Sequence, residues 1–359
     1  MKQFHKWLAL PGAAAVLCLQ LALGAAAAEP LLFRDVDSTS PWYDGVVFAV
    51  EHGISQGTGE DAFSPDAPIT TRQWAVMLCR AYGLDVETPP DTPFGEAELS
   101  QAYREGWLDM DAMLRPDTGM CRSAVYASAF AAENVPVYPY EFYEDGVPLT
   151  AAENYIRVGW ENRLCGENAE PLELVTRGEA VQLLYQIHEN GLQTEVPGVV
   201  ETWNVHNPDE ADLGPYLREI QKVPESILDE YIQRGWSFHV DSRAVDALGD
   251  DLGMSCTGFT NYQQKKICAK VPACVVHEFG HFYHQTLGFP AEVDRLYRQE
   301  AEPASKVLGE YSAENSHEYF AEFFEYWTDW NGDEMRMKAL EETAPETYAY
   351  FLTLEELGA

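Results

Sequence analysis

The chain has 359 residues, with 59 acidic residues against 23 Lys and Arg and a formal net charge of −36. So acidic a surface repels phosphate backbones and anionic headgroups, which excludes nucleic acid and negatively charged lipid as partners. The length is enough for two or more domains.

Residues 1–28 read as a secretory signal. Lys2 and Lys6 precede an apolar run from Ala13 to Leu23, and Ala26-Ala27-Ala28 supply small residues for cleavage before Glu29. Gln20 interrupts the run, which is too short for a comfortable span, and no other stretch is long and apolar enough. The expectation is an exported protein with no membrane insertion once the signal is removed. Six cysteines then remain, and Cys79, Cys121 and Cys165 fall in one half, Cys256, Cys268 and Cys274 in the other. Pairing cannot be complete within either half. Cys256 and Cys268 flank a hairpin and form the best-matched pair, with buried free thiols expected elsewhere.

From residue 29 to 190 the sequence repeats itself three times, over about 29–85, 90–134 and 138–190. Each repeat shows a helix ending in Gly, a loop, and an Arg opening a second helix. The pairs are Gly53 and Arg72, Gly106 and Arg122, Gly159 and Arg177, at offsets of 19, 16 and 18 residues. A period near 50 implies stacked supersecondary units that share one core. The glycines are expected at helix C-caps, and Thr71 and Thr176 at N-caps.

Repeat one carries Phe33-Arg34-Asp35-Val36, Trp42-Tyr43, Gly53-Ile54-Ser55-Gln56-Gly57, Phe63-Ser64-Pro65-Asp66 and Ile69-Thr70-Thr71-Arg72. These segments resemble a surface-layer homology (SLH) module. The resemblance implies an all-α domain that anchors the protein to an anionic secondary polymer of a Gram-positive-type cell wall. Carried over by position, Asp35, Trp42, Arg72 and Arg177 contribute to that binding. Repeats two and three depart from the pattern: neither opens on Phe-x-Asp-Val, and Cys121 stands where Thr is expected. Each Arg could instead brace neighbouring helices.

Residues 191–205 hold Pro197-Gly198 in a polar setting and read as a linker. Residues 206–359 form one further domain. A helical period over 224–232 stops at Gly235, residues 236–240 alternate like a strand, and a hairpin spans Cys256 to Lys270. Helices follow at about 272–287, 291–301, 316–330 and 344–357. The layout is α+β, a small sheet with segregated helices.

The chemistry centres on His277-Glu278-Phe279-Gly280-His281. On a helix, residues four apart share a face one turn apart, so two imidazoles can reach one zinc ion. Glu278 can lean over the open side of the metal as a base for water. His284 and Leu287 occupy the positions where a metzincin has Gly and a third His, which excludes that subclass. His284 lies two turns from His277, too far to share its ion. Downstream, Glu318 and Glu322 share a helix face among Phe320, Phe323, Phe324 and Trp327. One can bind zinc while the other orients a ligand histidine.

The domain resembles the lethal-factor-type zinc peptidases, which include the Pro-Pro endopeptidases. The shared features are HEFGH, the run Glu318-Tyr319-Phe320-Ala321-Glu322 with Tyr311 seven residues before it, Ile232-Gln233-Arg234-Gly235-Trp236, and Gly258-Phe259-Thr260. Similarity extends over about 210–355. It implies a zincin-like fold in which His277, His281 and Glu318 bind Zn2+, Glu278 is the base, Glu322 supports a ligand histidine, and Tyr311 stabilises the oxyanion. In zincins the strand before the active helix is an open edge on which an extended peptide can pair. That strand here would be 265–270, whose three lysines could also blunt the edge against aggregation. The expected activity is a wall-anchored, extracellular zinc endopeptidase acting on surface proteins, with proline-containing linkers suggested as substrates. The alternative is a non-catalytic surface-layer or adhesion protein with a degenerate peptidase domain.

Overall fold

The computed structural model describes residues 33–358, so the secretory-signal expectation lies outside the described residues. Contacts divide the chain into two compact units. The first takes in residues up to 140 together with 147–195, and the second comprises 141–146 and the chain from 196 onward. Of the second unit's elements, α8 (Gly198–Thr202) falls within the stretch read as a linker and β1 (Val205–His206) starts at its last residue.

The first unit is helical: α1 (Tyr43–Glu51), α2 (Thr71–Ala81), α3 (Glu96–Arg104), α4 (Met110–Leu114), α5 (Arg122–Ala132), α6 (Ala151–Glu161) and α7 (Arg177–Asn190). The pairs α1/α2, α3/α5 and α6/α7 are the three repeats, and their apolar faces meet in one shared core that includes Trp74, Leu78, Phe130, Val181 and Leu184. Gly53 and Gly106 follow their helices with φ of +67° and +74°, as expected of caps. Gly159 does not: it lies inside α6, where an added Cβ would stand 2.4 Å from Tyr126 Cε2. It permits close packing, and Arg163 takes the left-handed turn after the helix instead. Thr176 caps α7 in a reciprocal box with Glu179, whereas the cap of α2 is Thr70, paired with Gln73, one residue before the expected Thr71.

The repeats close into a ring. Ile69 N donates to Val175 O (2.9 Å), Val175 N to Met120 O (2.9 Å), and Met120 N to Ile69 O (3.0 Å). This three-membered cycle of backbone bonds joins the loops before the second helices. The arginines repeat the relation outside it. Arg72 pairs with Glu96 (2.8 Å) and Asp117 (3.0 Å) of repeat two, and Arg122 with Glu173 (2.6 Å) of repeat three. Arg177 reaches back to repeat one, donating to Phe63 O (3.0 Å) with its guanidinium over the Phe63 ring.

The second unit packs α8 and the longer helices α9 (Gly214–Lys222), α10 (Glu225–Gln233), α11 (Ser242–Leu252), α12 (Val275–Thr286), α13 (Ala291–Leu308), α14 (Ser316–Trp330), α15 (Glu334–Thr343) and α16 (Pro345–Gly358) with a four-stranded sheet. The strands are β1, β2 (Ser237–Val240), β3 (Gly258–Asn261) and β4 (Lys266–Ala269), in the order β1-β2-β4-β3. β2 runs parallel to β1 and to β4, and β3 pairs antiparallel with β4. This corrects the expectation of an open edge at 265–270: β4 is an inner strand, and the edge beside α12 is β3. The lysines therefore do not guard an edge. Lys266 faces Asp241 (3.6 Å), Lys270 pairs with Asp246 (2.6 Å), and Lys265 donates to Arg234 O.

All six described cysteines are free. The Cys256–Cys268 pair fails on register: Cys268 stands opposite Phe259, three residues along β3 from Cys256 and so roughly 10 Å away. Helix α13 also outruns its expected end at 301, continuing to Leu308 through Pro303 without that residue's amide bond to the Gln299 carbonyl.

At the centre lies α12, buried on nearly every side: Val275 and Val276 are buried, and Phe279 and Phe282 pack against Tyr231, Trp236 and Phe238. Helix α14 crosses it in backbone contact: a Cβ on Gly280 would stand 2.8 Å from Ala321 Cα and 3.1 Å from Ala321 O. Gly280→Leu is expected to force the helices apart and destabilise the second unit by about 1–3 kcal/mol, read by urea denaturation; an unchanged midpoint would refute the close-contact argument. Arg177→Ala, which strips a charged donor from the buried Phe63 carbonyl, should cost the first unit about 1–3 kcal/mol, whereas an effect below 0.5 kcal/mol (roughly the noise of a surface change) would remove Arg177 from the ring's support.

Candidate metal centre

Three elements position the site. Pro272 opens a single 3-10 turn that leads into α12, and two turns of that helix carry His277, Glu278 and His281, all buried. Asn315 caps α14 by accepting from His317 N (2.9 Å) and Glu318 N (3.1 Å), which sets Glu318 in the first turn. There the helix dipole favours an ionised carboxylate. Between α13 and α14, Gly309 turns the chain at φ +103° into a short 3-10 helix that carries Tyr311.

His277 Nε2, His281 Nε2 and Glu318 Oε2 form a near-equilateral triangle, with separations of 3.1, 3.2 and 3.2 Å. Tetrahedral zinc with bonds of about 2.0–2.1 Å needs ligand atoms roughly 3.3–3.4 Å apart, so the donor set fits that ion in number, type and spacing. On the far side of its ring, His277 Nδ1 lies 3.2 Å from Glu322 Oε1 and 3.6 Å from Glu325 Oε2. A proton held on Nδ1 by these carboxylates leaves Nε2 with a lone pair turned to the triangle. Three lone pairs this close repel unless cationic charge stands among them. Burial opposes a charge on His277, but Glu318, Glu322 and Glu325 outweigh it and push its pKa well above the usual value. Burial likewise opposes ionisation of Glu318, and the two histidines overcome it to hold its carboxyl far below the ordinary range.

Glu278 is almost fully buried, and desolvation raises its pKa against the pull of His281, His277 and Thr260. Tyr311 is 41% exposed, with its ring centroid 6.0 Å from that of His277. Burial, then Glu318 and Glu314, push its phenol up, so the hydroxyl is a donor at neutral pH. A cleft of about 530 Å³ holds His277, Glu278, His281, Tyr311 and Glu318 together with the edge-strand residues Gly258, Phe259 and Thr260. His284 stays out of the triangle as expected; it is buried and stacks on Phe320 at 4.6 Å between centroids.

The positions expected to bind polymer sit at inter-repeat junctions of the first unit. Asp35 accepts from Phe63 N (2.9 Å) and Ser64 N (2.7 Å), and the Trp42 indole lies on Gly178, beside Arg177. Burial works against ionisation of Asp35, but those amides and Arg177 hold its carboxyl below the usual value. Asp35, Trp42 and Arg177 thus gather where repeat three meets repeat one, while Arg72 stands apart between repeats one and two. Arg177 is only 4% exposed, so its side chain is committed to the ring. A groove of about 600 Å³ at the next junction is lined by Trp42, Arg122, Tyr126 and Glu173. Arg122 was not among the expected binding residues, although its place in the Gly-to-Arg pattern equates it with Arg72 and Arg177.

Among the described residues no helix is long and apolar enough to cross a membrane. No curated protein is similar enough to the chain to count as a match. Residues 32–70 match the S-layer homology domain family, whose members bind cell-wall polymers, and the match associates the protein with the cell surface.

Proposed function

We propose that the protein is a zinc endopeptidase held at the cell wall through its SLH repeats. The observation that carries the reading is the donor triangle of His277, His281 and Glu318 with the buried carboxylate of Glu278 at its side. Bound there, zinc would supply a Lewis acid and lower the pKa of water.

The chain's own groups would do the rest. Glu278 takes the proton of the attacking water and passes it to the leaving amine. Tyr311 donates a hydrogen bond to the oxyanion that develops on the scissile carbonyl. Glu322 keeps the His277 ring in register through Nδ1. An extended peptide would add to the free edge of β3, its backbone bonds fixing position while side chains enter the cleft.

Cleft and adjoining recess are lined by Glu278, Glu314, Glu318, Glu322 and Glu325, with no Lys or Arg among the lining residues. Two charges from the ion, set against the four carboxylates nearest it, leave an excess of about two negative charges. The proposed substrates are accordingly neutral or basic segments of surface proteins, with proline-containing linkers as the finer assignment.

Glu278→Ala should keep its zinc and lose peptidase activity by about 10²–10⁴-fold, while Glu318→Gln should lose zinc affinity. Full activity in the first variant removes the base, unchanged metal content in the second moves the third ligand elsewhere, and zinc-free inactive protein with intact wall binding favours a non-catalytic surface protein. In a peptide-library digest followed by mass spectrometry, peptides with acidic flanks should be cut about tenfold more slowly at low salt, and cuts should fall between prolines. No penalty on acidic flanks refutes the charge argument, and cuts at other residues reassign the substrate.

A further inference from the structure

Gly258 and Thr260 lie two residues apart on β3 and therefore face the same side of the sheet. That side is occupied by the start of α12. A Cβ on Gly258 would fall 2.8 Å from Glu278 Oε1, 2.7 Å from Cys274 Sγ and 3.0 Å from the Cys268 carbonyl oxygen. Only a glycine leaves room there for one oxygen of the carboxylate. The other oxygen is gripped: Thr260 Oγ1 stands 2.7 Å from Glu278 Oε2 and 3.0 Å from the Glu278 carbonyl oxygen. The hydroxyl has one proton to give, and an ionised carboxylate is the stronger acceptor.

We propose that Gly258 and Thr260 form a slot in the edge strand that holds the Glu278 carboxylate in a single orientation, with Thr260 as a positioning residue for the base. The proposal rests on the peptidase reading and adds a coupling to it. The strand whose free edge would receive the peptide backbone is the strand whose inner face fixes the base. A shift of β3 on loading would carry Thr260, and with it the carboxylate. Glu has three side-chain torsions to fix, and the helix backbone alone fixes none of them. The slot fixes the carboxylate end.

The test uses the full-length, zinc-loaded protein and compares Thr260→Val, nearly isosteric but without a donor, with Thr260→Ser, which keeps the hydroxyl. Zinc content and thermal midpoint are measured for both, then kcat and KM on a quenched peptide chosen from the wild-type library digest. Affinity for acetohydroxamate, which must give up a proton as it chelates the metal, serves as a readout apart from turnover. In Thr260→Val, kcat should fall about 10- to 100-fold with KM and zinc content unchanged, hydroxamate binding should weaken, and Thr260→Ser should restore both. A Thr260→Val enzyme within twofold of wild-type kcat overturns the slot, as does a Thr260→Ser enzyme that is equally impaired, since the loss would then belong to the strand and not to the hydroxyl. Wild-type protein that binds zinc and cleaves nothing overturns the peptidase reading itself, and the slot falls with it.

Discussion

Two helices that touch backbone to backbone govern the second unit. Because residue 280 has no side chain, α14 approaches α12 until Ala321 lies against it, and only at that distance does Glu318 reach the imidazoles one turn away. The glycine within HEFGH is thus a packing requirement of the donor triangle rather than a break in its helix. The surrounding aromatics Tyr231 and Trp236, packed on Phe282 of α12, keep that helix from moving away to relieve the crowding.

The local parts of this arrangement were legible in the sequence. Four-residue spacing on a helix is a rigid ruler, so His277 with His281 and Glu318 with Glu322 could be read onto faces before any fold was known. What escaped was the order of the strands. Two strands separated by a tight turn, β3 and β4, announce themselves as a hairpin, but the parallel pairing of β4 with β2 comes from residues nearly thirty positions away and leaves no local trace. An inner strand therefore reads locally as an edge, while its lysines answer Asp241, Asp246 and the Arg234 carbonyl. Helix α15 has only a weak apolar period, with Met337 and Leu340 buried, whereas α9 carries a legible one in Tyr216, Leu217 and Ile220, which the sequence reading does not use. Thr260 is marked in the sequence only as part of Gly258-Phe259-Thr260, and nothing local ties its hydroxyl to Glu278, eighteen residues on.

Gly159 shows how one residue type answers two demands. By position it matched the cap glycines of the other repeats, yet its neighbour Tyr126 needs the space a side chain would fill, and α6 runs two residues past it. Pattern alone cannot separate a glycine needed for its backbone freedom from one needed for its size. Similarly, the arginines chosen for polymer contact are the ones that bind the repeats to one another. Both roles draw on the same property, a planar donor that reaches several acceptors at once.

The cycle of bonds through Ile69, Met120 and Val175 has a further meaning for how such a module can change over time. An open array of repeats can gain or lose a member at either end, because its ends are spare surfaces. A closed triangle has no ends. Removing one third strands a donor in one neighbour and an acceptor in the other, and a fourth member finds no opening to enter. The number three is fixed by geometry, so divergence is confined to what each repeat displays outward, and three copies of unequal sequence can drift apart while the frame they share stays whole.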